Sequence, residues 1–286
     1  MKDLRWCAIS DTTISCPYCF HHCRLAEGAT GLCRARANRG GRSVSLSYGR
    51  VLSAALDPIE KKPLARFYPG SMILSVGSFG CNLKCPFCQN FELAEAGAET
   101  FKTEELPPEE LAALALRLKP RGNLGAAFTY NEPMVGWEYV RDCAAAVRAR
   151  GMKNVVVTNG SFEAAALDPV LPLIDAWNID LKGFTEDYYR WLGGSLETVK
   201  SFIKKAAAVS HVELTTLIVP GKNDSRETMR EMASWIAETD KNIPLHITRF
   251  FPGHLMAETE PTAVDKVLEL VATAKEKLTT VLPGNI

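Results

Sequence analysis

The sequence predicts an α/β fold, a partial (β/α)6 barrel similar to a TIM barrel, preceded by a small cysteine-rich module at the N-terminus. Two observations predict the barrel: strand-like apolar runs alternate with helical patterns from Met72 onwards, and polar residues follow the predicted strands where each one ends. Six β/α units are too few to close an eight-stranded barrel, so we expect an open barrel with a lateral gap. We place the module and a linker at residues 1–70 and the barrel at residues 71–286.

The composition excludes several classes of ligand and location. The net charge is zero and the chain has no basic tract, so we expect neither nucleic acid nor a membrane as a partner. No apolar run approaches the roughly 20 residues of a membrane span, and the first residues lack the apolar core of a signal peptide. We therefore expect a cytoplasmic protein, in which nine cysteines indicate metal ligation rather than disulfides.

The N-terminal module carries four cysteines at C-x2-C-x3-C-x9-C spacing, which are Cys16, Cys19, Cys23 and Cys33. Four soft ligands that include a short C-x2-C pair are typical of a tetrahedral zinc site. A second iron–sulfur cluster that relays electrons is the alternative, and a module without metal is a third. Cys7, His21 or His22 are candidates for an additional ligand.

Two segments connect the module to the barrel. Residues 43–48 alternate strictly between polar and apolar side chains, which predicts a half-buried strand. Residues 57–70 are dense in proline and charge, which predicts a loop or an extended linker.

The barrel begins with three cysteines, Cys81, Cys85 and Cys88, at C-x3-C-x2-C spacing directly after a predicted strand. Three thiolates on one tight loop can hold three corners of a [4Fe–4S] cluster, which normally takes four thiolates. The fourth iron then lacks a protein ligand and is open to a small molecule. Half of a zinc site and three unconnected thiols are the alternatives.

The rest of the barrel is predicted from the spacing of its apolar residues. Apolar residues recur at i, i+3, i+4 and i+7 between the strands and predict amphipathic helices. Cys143 lies on one of these stripes, so we expect it to be a core thiol. The six predicted strands are 72–77, 124–129, 153–158, 176–181, 211–219 and 244–249.

Polar residues follow or end each of the later strands. Because the C-terminal ends of parallel strands meet at one edge of a barrel, we expect these residues to surround the cysteine loop. They are residues 130–133, Asn159, Gly160, Asn178, Asp180, Lys182, residues 219–224, His246 and Arg249.

These motifs together resemble radical SAM enzymes close to the glycyl-radical-enzyme activases, such as pyruvate formate-lyase activating enzyme. More closely, the chain resembles the radical SAM member of the AmmeMemoRadiSam system, over nearly its full length. The stretches that match are the four N-terminal cysteines and residues 57–64, 80–90 and 129–133.

The resemblance implies a role for individual residues. Cys81, Cys85 and Cys88 hold the [4Fe–4S] cluster, and its open iron chelates S-adenosylmethionine (SAM). Phe87 lies beside the adenine, and Glu132 grips the amino group of SAM. The other residues implied to contact SAM or line its pocket are Asn131, which stands where the family has glycine, Thr158, Asn159, Asp180, Lys182 and, as an alternative to a structural histidine, His246.

The resemblance also implies the reaction. A reduced cluster cleaves SAM to a 5′-deoxyadenosyl radical, which abstracts hydrogen from a substrate. The substrate is a partner protein, as for the activases, or a small or nucleotide-derived molecule. An electron donor such as ferredoxin or flavodoxin is implied, and Memo-like or AMMECR-like proteins are candidate partners. A non-catalytic electron carrier with two iron–sulfur clusters and a zinc-knuckle interaction protein are the rival hypotheses.

Overall fold

A computed structural model describes residues 12–286 of the chain. Its strands are β1 (Ile14–Ser15), β2 (Arg24–Leu25), β3 (Arg36–Arg39), β4 (Arg42–Ser45), β5 (Arg50–Val51), β6 (Ser53–Pro58), β7 (Met72–Gly77), β8 (Glu104–Glu105), β9 (Asn123–Phe128), β10 (Lys153–Thr158), β11 (Ala176–Asp180), β12 (His211–Ile218), β13 (Leu245–Arg249) and β14 (Val281–Gly284). Its α-helices are α1 (Phe91–Ala94), α2 (Pro108–Arg117), α3 (Trp137–Ala149), α4 (Ala164–Leu167), α5 (Glu186–Leu192), α6 (Leu196–Ala207), α7 (Arg226–Asp240) and α8 (Val264–Lys275).

One eight-stranded sheet organises these elements, in the order β14-β13-β12-β11-β10-β9-β7-β6. Strands β7 and β9 to β14 are parallel, and β6 runs antiparallel to β7. Within the described residues the two edge strands do not pair with each other, so the barrel is open. The predicted α/β class with a partial barrel is therefore confirmed, and the six predicted strands lie within a residue of their predicted bounds.

Both faces of most parallel strands are buried, so apolar residues occur on both faces instead of alternating with polar ones. On β10, Val155 faces the barrel interior with Ile59 and Leu64, whereas Val156 packs with the helices outside. Helices α2, α3, α6 and α8 contact the strands from the outer side, and α7 packs on α8. Across residues 12–286, no helix is both long and apolar enough to cross a membrane.

The segment predicted as a loop or an extended linker, residues 57–70, is mostly loop, but it begins inside a barrel strand. Strand β6 pairs along its whole length with β7, from Ser53 opposite Gly77 to Pro58 opposite Met72. Residues 59–67, which we call the floor segment, then cross the barrel interior near the N-terminal ends of the strands. Strand β6 therefore belongs to the barrel sheet, although it lies before the boundary that we place at residue 70.

The floor segment is held by apolar packing and by one carboxylate. Ile59, Leu64 and Phe67 pack against interior side chains of β7, β9, β10 and β11. Glu213 of β12 accepts hydrogen bonds from the backbone amides of Ala65 and Arg66, at 2.9 and 2.7 Å. These contacts close the barrel at the N-terminal ends of its strands.

The strand predicted over residues 43–48 is shorter in the structure. Strand β4 pairs with β3 but ends at Ser45. The chain then turns, because the amide of Arg50 bonds to the carbonyl of Ser47 at 3.1 Å and Gly49 adopts φ +71°. Tyr48 is consequently exposed rather than half-buried.

Candidate active site at the mouth of the barrel

A cavity of about 860 Å³ opens at the C-terminal ends of the barrel strands. It is lined by the three loop cysteines and by all eight residues expected to contact a cofactor. These residues are Cys81, Cys85, Phe87, Cys88, Asn131, Glu132, Thr158, Asn159, Asp180, Lys182 and His246. Arg249 lies outside this lining, where its Nε donates to the carbonyl of Thr262 at 2.6 Å.

The cysteine loop leaves β7 through a sharp turn. Gly80 adopts φ +89°, in the left-handed region that glycine tolerates best. The amide of Leu83 donates to Cys81 Sγ at 3.4 Å, and the amide of Cys88 closes a turn onto the carbonyl of Cys85 at 3.1 Å. These bonds fix the course of the loop while its three cysteines line one cavity.

The electrostatics of the three thiols indicate what they can bind. Burial raises the pKa of all three, to about 11 for Cys85, and neighbouring thiols raise the pKa of Cys81 and Cys85 further. Three bare thiolates here are therefore unfavourable, and a metal centre that binds thiolates offsets this cost. Three such cysteines on one loop fit three corners of a [4Fe–4S] cluster.

Lys182 supplies positive charge beside this loop. Its ammonium contacts Asp180 Oδ2 at 2.8 Å. Burial opposes charge on Lys182, but the nearby charges of Asp180, Cys85 and Cys88 outweigh burial and hold its pKa well above the ordinary value. The side-chain amide of Asn223 donates to the Lys182 carbonyl at 2.8 Å, so the strand end that carries Lys182 is braced from the next β/α loop.

Glu132 is the buried carboxylate of the site. One oxygen accepts from the Thr158 hydroxyl at 2.8 Å and from the Met134 amide at 3.0 Å, and the other accepts from the Asn159 amide at 2.7 Å. Burial raises its pKa to about 7 despite these bonds. A carboxylate has about four acceptor positions, so one stays open to a ligand.

Asn131 occupies the place where the resembled family has glycine, and its side chain braces the cysteine loop. Its Oδ1 accepts from the Ser78 amide at 3.0 Å, and its Nδ2 donates to the carbonyls of Phe79 and Gly80 at 3.0 and 3.1 Å. The departure from glycine therefore adds support to the start of the loop.

Sequence reasoning missed a buried network around Tyr130, which adopts φ +75°. Its ring lies over Gly77, where a Cβ would meet it at 2.8 Å, and its hydroxyl donates to Asp57 Oδ2 at 2.7 Å. The ammonium of Lys62 contacts the same oxygen at 2.9 Å. Burial opposes charge on Asp57, but hydrogen bonds from Lys62 and Tyr130 lower its pKa. The signal in the sequence was the charge within residues 57–64 beside prolines.

The four N-terminal cysteines surround a second, smaller cavity. Burial raises the pKa of the Cys33 thiol and that of Cys19, the latter to about 12. Across residues 12–286 no three His, Cys, Asp or Glu side chains converge tightly enough to hold a single metal ion. The same holds for the three loop cysteines, so this finding does not distinguish zinc, a second cluster and a metal-free module.

The other candidate ligands of the module have separate contacts. His21 Nε2 donates to the carbonyl of Asn82 at 2.8 Å, and His22 Nε2 contacts Glu163 at 3.1 Å. Cys7 lies outside the described residues. Cys143, on the buried face of α3, lies fully within the core, as expected.

The fold and the cavity define an open β/α barrel whose first loop carries three cysteines opposite polar strand ends. Comparison with known families identifies it: the chain belongs to the radical SAM superfamily, whose sequence profile matches residues 75–236. Members of this superfamily are enzymes, and the superfamily implies a [4Fe–4S] cluster and SAM.

One curated relative and several solved structures are similar to this chain. The chain is 36% identical over 282 residues to the uncharacterized protein MJ0808 of Methanocaldococcus jannaschii, covering 97% of this chain and 83% of that protein. Among solved structures, Streptococcus suis SuiB bound to S-adenosylmethionine superposes with a TM-score of 0.58 at 14% identity, over 74% of this chain and 51% of SuiB. A radical SAM methyltransferase from Sphaerobacter thermophilus gives a TM-score of 0.56 at 15% identity, over 76% of this chain and 67% of that protein. The two solved structures share the fold, and the chain spans about half the length of SuiB.

Proposed function

We propose that this chain binds a [4Fe–4S] cluster through Cys81, Cys85 and Cys88 and cleaves SAM reductively, as the radical SAM member of the AmmeMemoRadiSam system. The observation that supports this most is that the three thiols share one cavity with the buried carboxylate of Glu132. When bound, the cluster supplies the electron that cleaves SAM to methionine and a 5′-deoxyadenosyl radical, and that radical abstracts hydrogen from a substrate.

Glu132 binds the amino group of SAM. It is buried, three of its acceptor positions are filled, and the remaining one faces a site where an ammonium forms a charge-assisted hydrogen bond. Thr158 and Asn159 hold this carboxylate in place through their hydroxyl and amide. The pair Asp180 and Lys182 lines the same pocket and balances the negative charge of the thiolates.

Phe87 forms the apolar side of the pocket. It is buried next to Cys85 and packs with Tyr188 and Phe250, and its ring lies 5.8 Å from that of Trp191. Apolar side chains at this position exclude water and offer a surface to the adenine.

His246 has a different role in this proposal from the other ten residues. Its Nε2 bonds to Glu213 at 2.7 Å, and Glu213 holds the floor segment. His246 therefore supports the bottom of the cavity and closes it to water from below.

The N-terminal cysteines bind a metal of their own, either zinc or a second cluster. Metal analysis distinguishes the two, because one [4Fe–4S] cluster gives about four iron atoms per chain and two give about eight. Thiols available for metal fit a reducing compartment, which supports a cytoplasmic location.

The substrate is a partner protein that presents a segment to the open barrel, in the manner of the activases. The support is the open sheet, together with a cavity of about 860 Å³: a pocket of this size normally holds one ligand of drug size, and SAM takes that place, so the substrate approaches from outside. By resemblance, Memo-like and AMMECR-like proteins are the candidates, and ferredoxin or flavodoxin is the candidate electron donor.

The replacement Cys85→Ala tests the reaction. We expect the variant, reconstituted anaerobically and reduced, to make no 5′-deoxyadenosine from SAM, because the two thiolates that remain are too few to hold the cluster. Chromatography of the products measures this, and Cys143→Ala, which removes a buried thiol outside the cavity, serves as the matched control. A Cys85→Ala variant that still makes 5′-deoxyadenosine contradicts the proposal.

Deuterium labelling tests the substrate. Reduced enzyme and SAM are incubated separately with deuterated Memo-like protein, AMMECR-like protein and small nucleotides. Deuterium in 5′-deoxyadenosine identifies the hydrogen donor. Transfer from a nucleotide alone contradicts the partner-protein proposal and leaves SAM cleavage intact.

A further inference from the structure

Asn82 lies between the two groups of cysteines and touches both. It follows Cys81 in the loop, is 4% exposed, and also lines the small cavity surrounded by the four N-terminal cysteines. Its backbone carbonyl accepts from His21 Nε2 at 2.8 Å, so this ring nitrogen carries the proton. His21 in turn lies between two cysteines of the module, Cys19 and Cys23.

The side chain of Asn82 continues this contact into the active site. Its Oδ1 accepts from Asn159 Nδ2 at 2.8 Å, and its Nδ2 donates to the carbonyl of Ser161 at 2.9 Å. The backbone amide of Asn159 donates to Glu132 at 2.7 Å. An unbroken series of hydrogen bonds therefore runs from the four-cysteine module to the carboxylate at the mouth of the barrel.

The backbones of the two sites also touch at Gly80. A Cβ at this position would lie 2.5 Å from the carbonyl oxygen of Cys33 and 2.7 Å from the Cβ of Ala35. The entrance of the loop therefore rests on the backbone that carries the fourth cysteine of the module. The contact leaves no room for a side chain at Gly80, so the two backbones pack directly against each other.

The module has a second attachment that does not involve its thiols. Arg36 donates to both oxygens of Glu138 on α3, at 2.8 and 2.6 Å, and to the carbonyl of Val135 at 2.9 Å. This attachment is buried, with the Arg36 side chain 3% exposed. Loss of metal from the module therefore leaves the module on the barrel and acts locally, on the contacts of Asn82 and Gly80.

We propose that Asn82 and His21 are positioning residues that couple the four-cysteine site to the loop that holds the [4Fe–4S] cluster. Metal in the module holds His21 and Cys33, these hold Asn82 and Gly80, and the loop then presents Cys81 to the cluster. The coupling rests on the proposed function, because it requires metal at both sites. It acts whether the module binds zinc or a second cluster.

The two adjacent histidines give a matched test. His21→Ala removes the bond to the loop, whereas His22→Ala removes only a surface contact to Glu163, with both side chains at least a third exposed. In anaerobically reconstituted protein, we expect His21→Ala to lose iron to a chelator about tenfold faster than wild type, the usual cost of removing an outer-shell contact. His22→Ala is expected to behave as wild type.

A spectroscopic readout reports on the open cluster alone. Addition of SAM changes the electron paramagnetic resonance spectrum of a cluster with an open iron, so we expect this change to weaken in His21→Ala and in Asn82→Ala. The double variant Cys16→Ser/Cys19→Ser, which removes two module thiols, is expected to weaken it equally. Hydrogen exchange at the Asn159 amide is expected to accelerate in all three.

The outcomes separate the coupling from the proposed function. If wild-type protein binds iron at the loop and cleaves SAM, and the three variants retain its iron, its spectral response and its exchange rate, the coupling is wrong and the proposed function stands. If wild-type protein binds no iron at the loop, both are wrong. Equal damage by His22→Ala also overturns the coupling, because it indicates a general loss of structure.

Discussion

The barrel holds two buried glutamates, Glu132 at the mouth and Glu213 near the floor, and their surroundings shift the two pKa values in opposite directions. Burial raises the pKa of Glu132 to about 7. Burial also opposes charge on Glu213, but hydrogen bonds from His211, His246 and two backbone amides outweigh it and lower its pKa to about 2. Both carboxylates accept two backbone amides, so the backbone does not explain the difference.

The difference lies in the remaining donors and in the negative charge of Asp180, which raises the pKa of Glu132 further. Glu213 contacts the ring nitrogens of His211 and His246 at 2.9 and 2.7 Å, and an imidazole is able to carry positive charge. Glu132 receives a neutral hydroxyl from Thr158, and among residues 12–286 no Lys, Arg or His side chain forms an ion pair with it. The floor carboxylate thus has cationic partners within the chain, whereas the mouth carboxylate has none among residues 12–286, and this is the position that we propose for the ammonium of SAM.

Glu132→Gln removes the negative charge of the carboxylate at the mouth, and it has the largest expected effect. The glutamine retains the size and most hydrogen bonds of the side chain but loses the charge that attracts an ammonium. We expect the affinity for SAM to fall about 1,000-fold, or about 4 kcal/mol, in line with the loss of one member of a buried charge pair. Equilibrium dialysis of SAM against reconstituted, unreduced protein measures it.

The control for this change is Glu105→Gln on the exposed strand β8, which removes the same charge far from the cavity. Unchanged SAM affinity in Glu132→Gln would contradict the assignment of the ammonium to this carboxylate. This result would leave the proposed role of the three cysteines unaffected.

Glu213→Gln tests the contribution of the floor carboxylate to stability. The variant removes the charge that both histidines and the floor segment face, so we expect the free energy of unfolding to fall by about 3 kcal/mol, as for other broken buried pairs. Denaturant titration of the metal-free protein measures it, with Glu197→Gln on the exposed face of α6 as the control. A loss no larger than that of the control would show that apolar packing alone holds the floor.

Much of the barrel was predictable because its signals are local. Strands β7 and β9 to β13 are recognisable as apolar runs. The cysteines of the loop, Cys81, Cys85 and Cys88, are recognisable by their spacing. The edge strands were missed for a physical reason: β6 and β14 contain proline and few β-branched residues, and they form because a neighbouring strand offers hydrogen bonds.

The candidate site was predictable as a set of residues and not as a set of contacts. Glu132 and Asn159 stood out because polar residues at strand ends converge in any parallel barrel. The bond between Ala65 and Glu213 joins residues 148 positions apart, and no local pattern encodes it. A single glutamate inside an apolar strand was the available signal for Glu213, and an amide between two ligand cysteines was the signal for Asn82.

The smallest expected effect is on the pH dependence of stability, which distinguishes the two carboxylates. A carboxyl whose folded pKa is raised stabilises the fold below its unfolded pKa of 4.5, and that stability is lost as the pH rises through 7. For Glu132 this amounts to about 2 kcal/mol between pH 5 and 7. Glu213 has the opposite sign, because its lowered pKa stabilises the fold above pH 4.5 and that stability is lost as the pH falls towards 2.

Denaturant titrations of metal-free wild type, Glu132→Gln and Glu213→Gln at several pH values separate the two carboxylates. The difference between wild type and Glu132→Gln is expected to change between pH 5 and 7, and the difference between wild type and Glu213→Gln below pH 4.5. Histidines common to all three proteins cancel in the first difference, so the slope belongs to Glu132 alone. A flat difference between pH 5 and 7 would mean that Glu132 stays ionised without a ligand, and that the mouth is as complete within the chain as the floor.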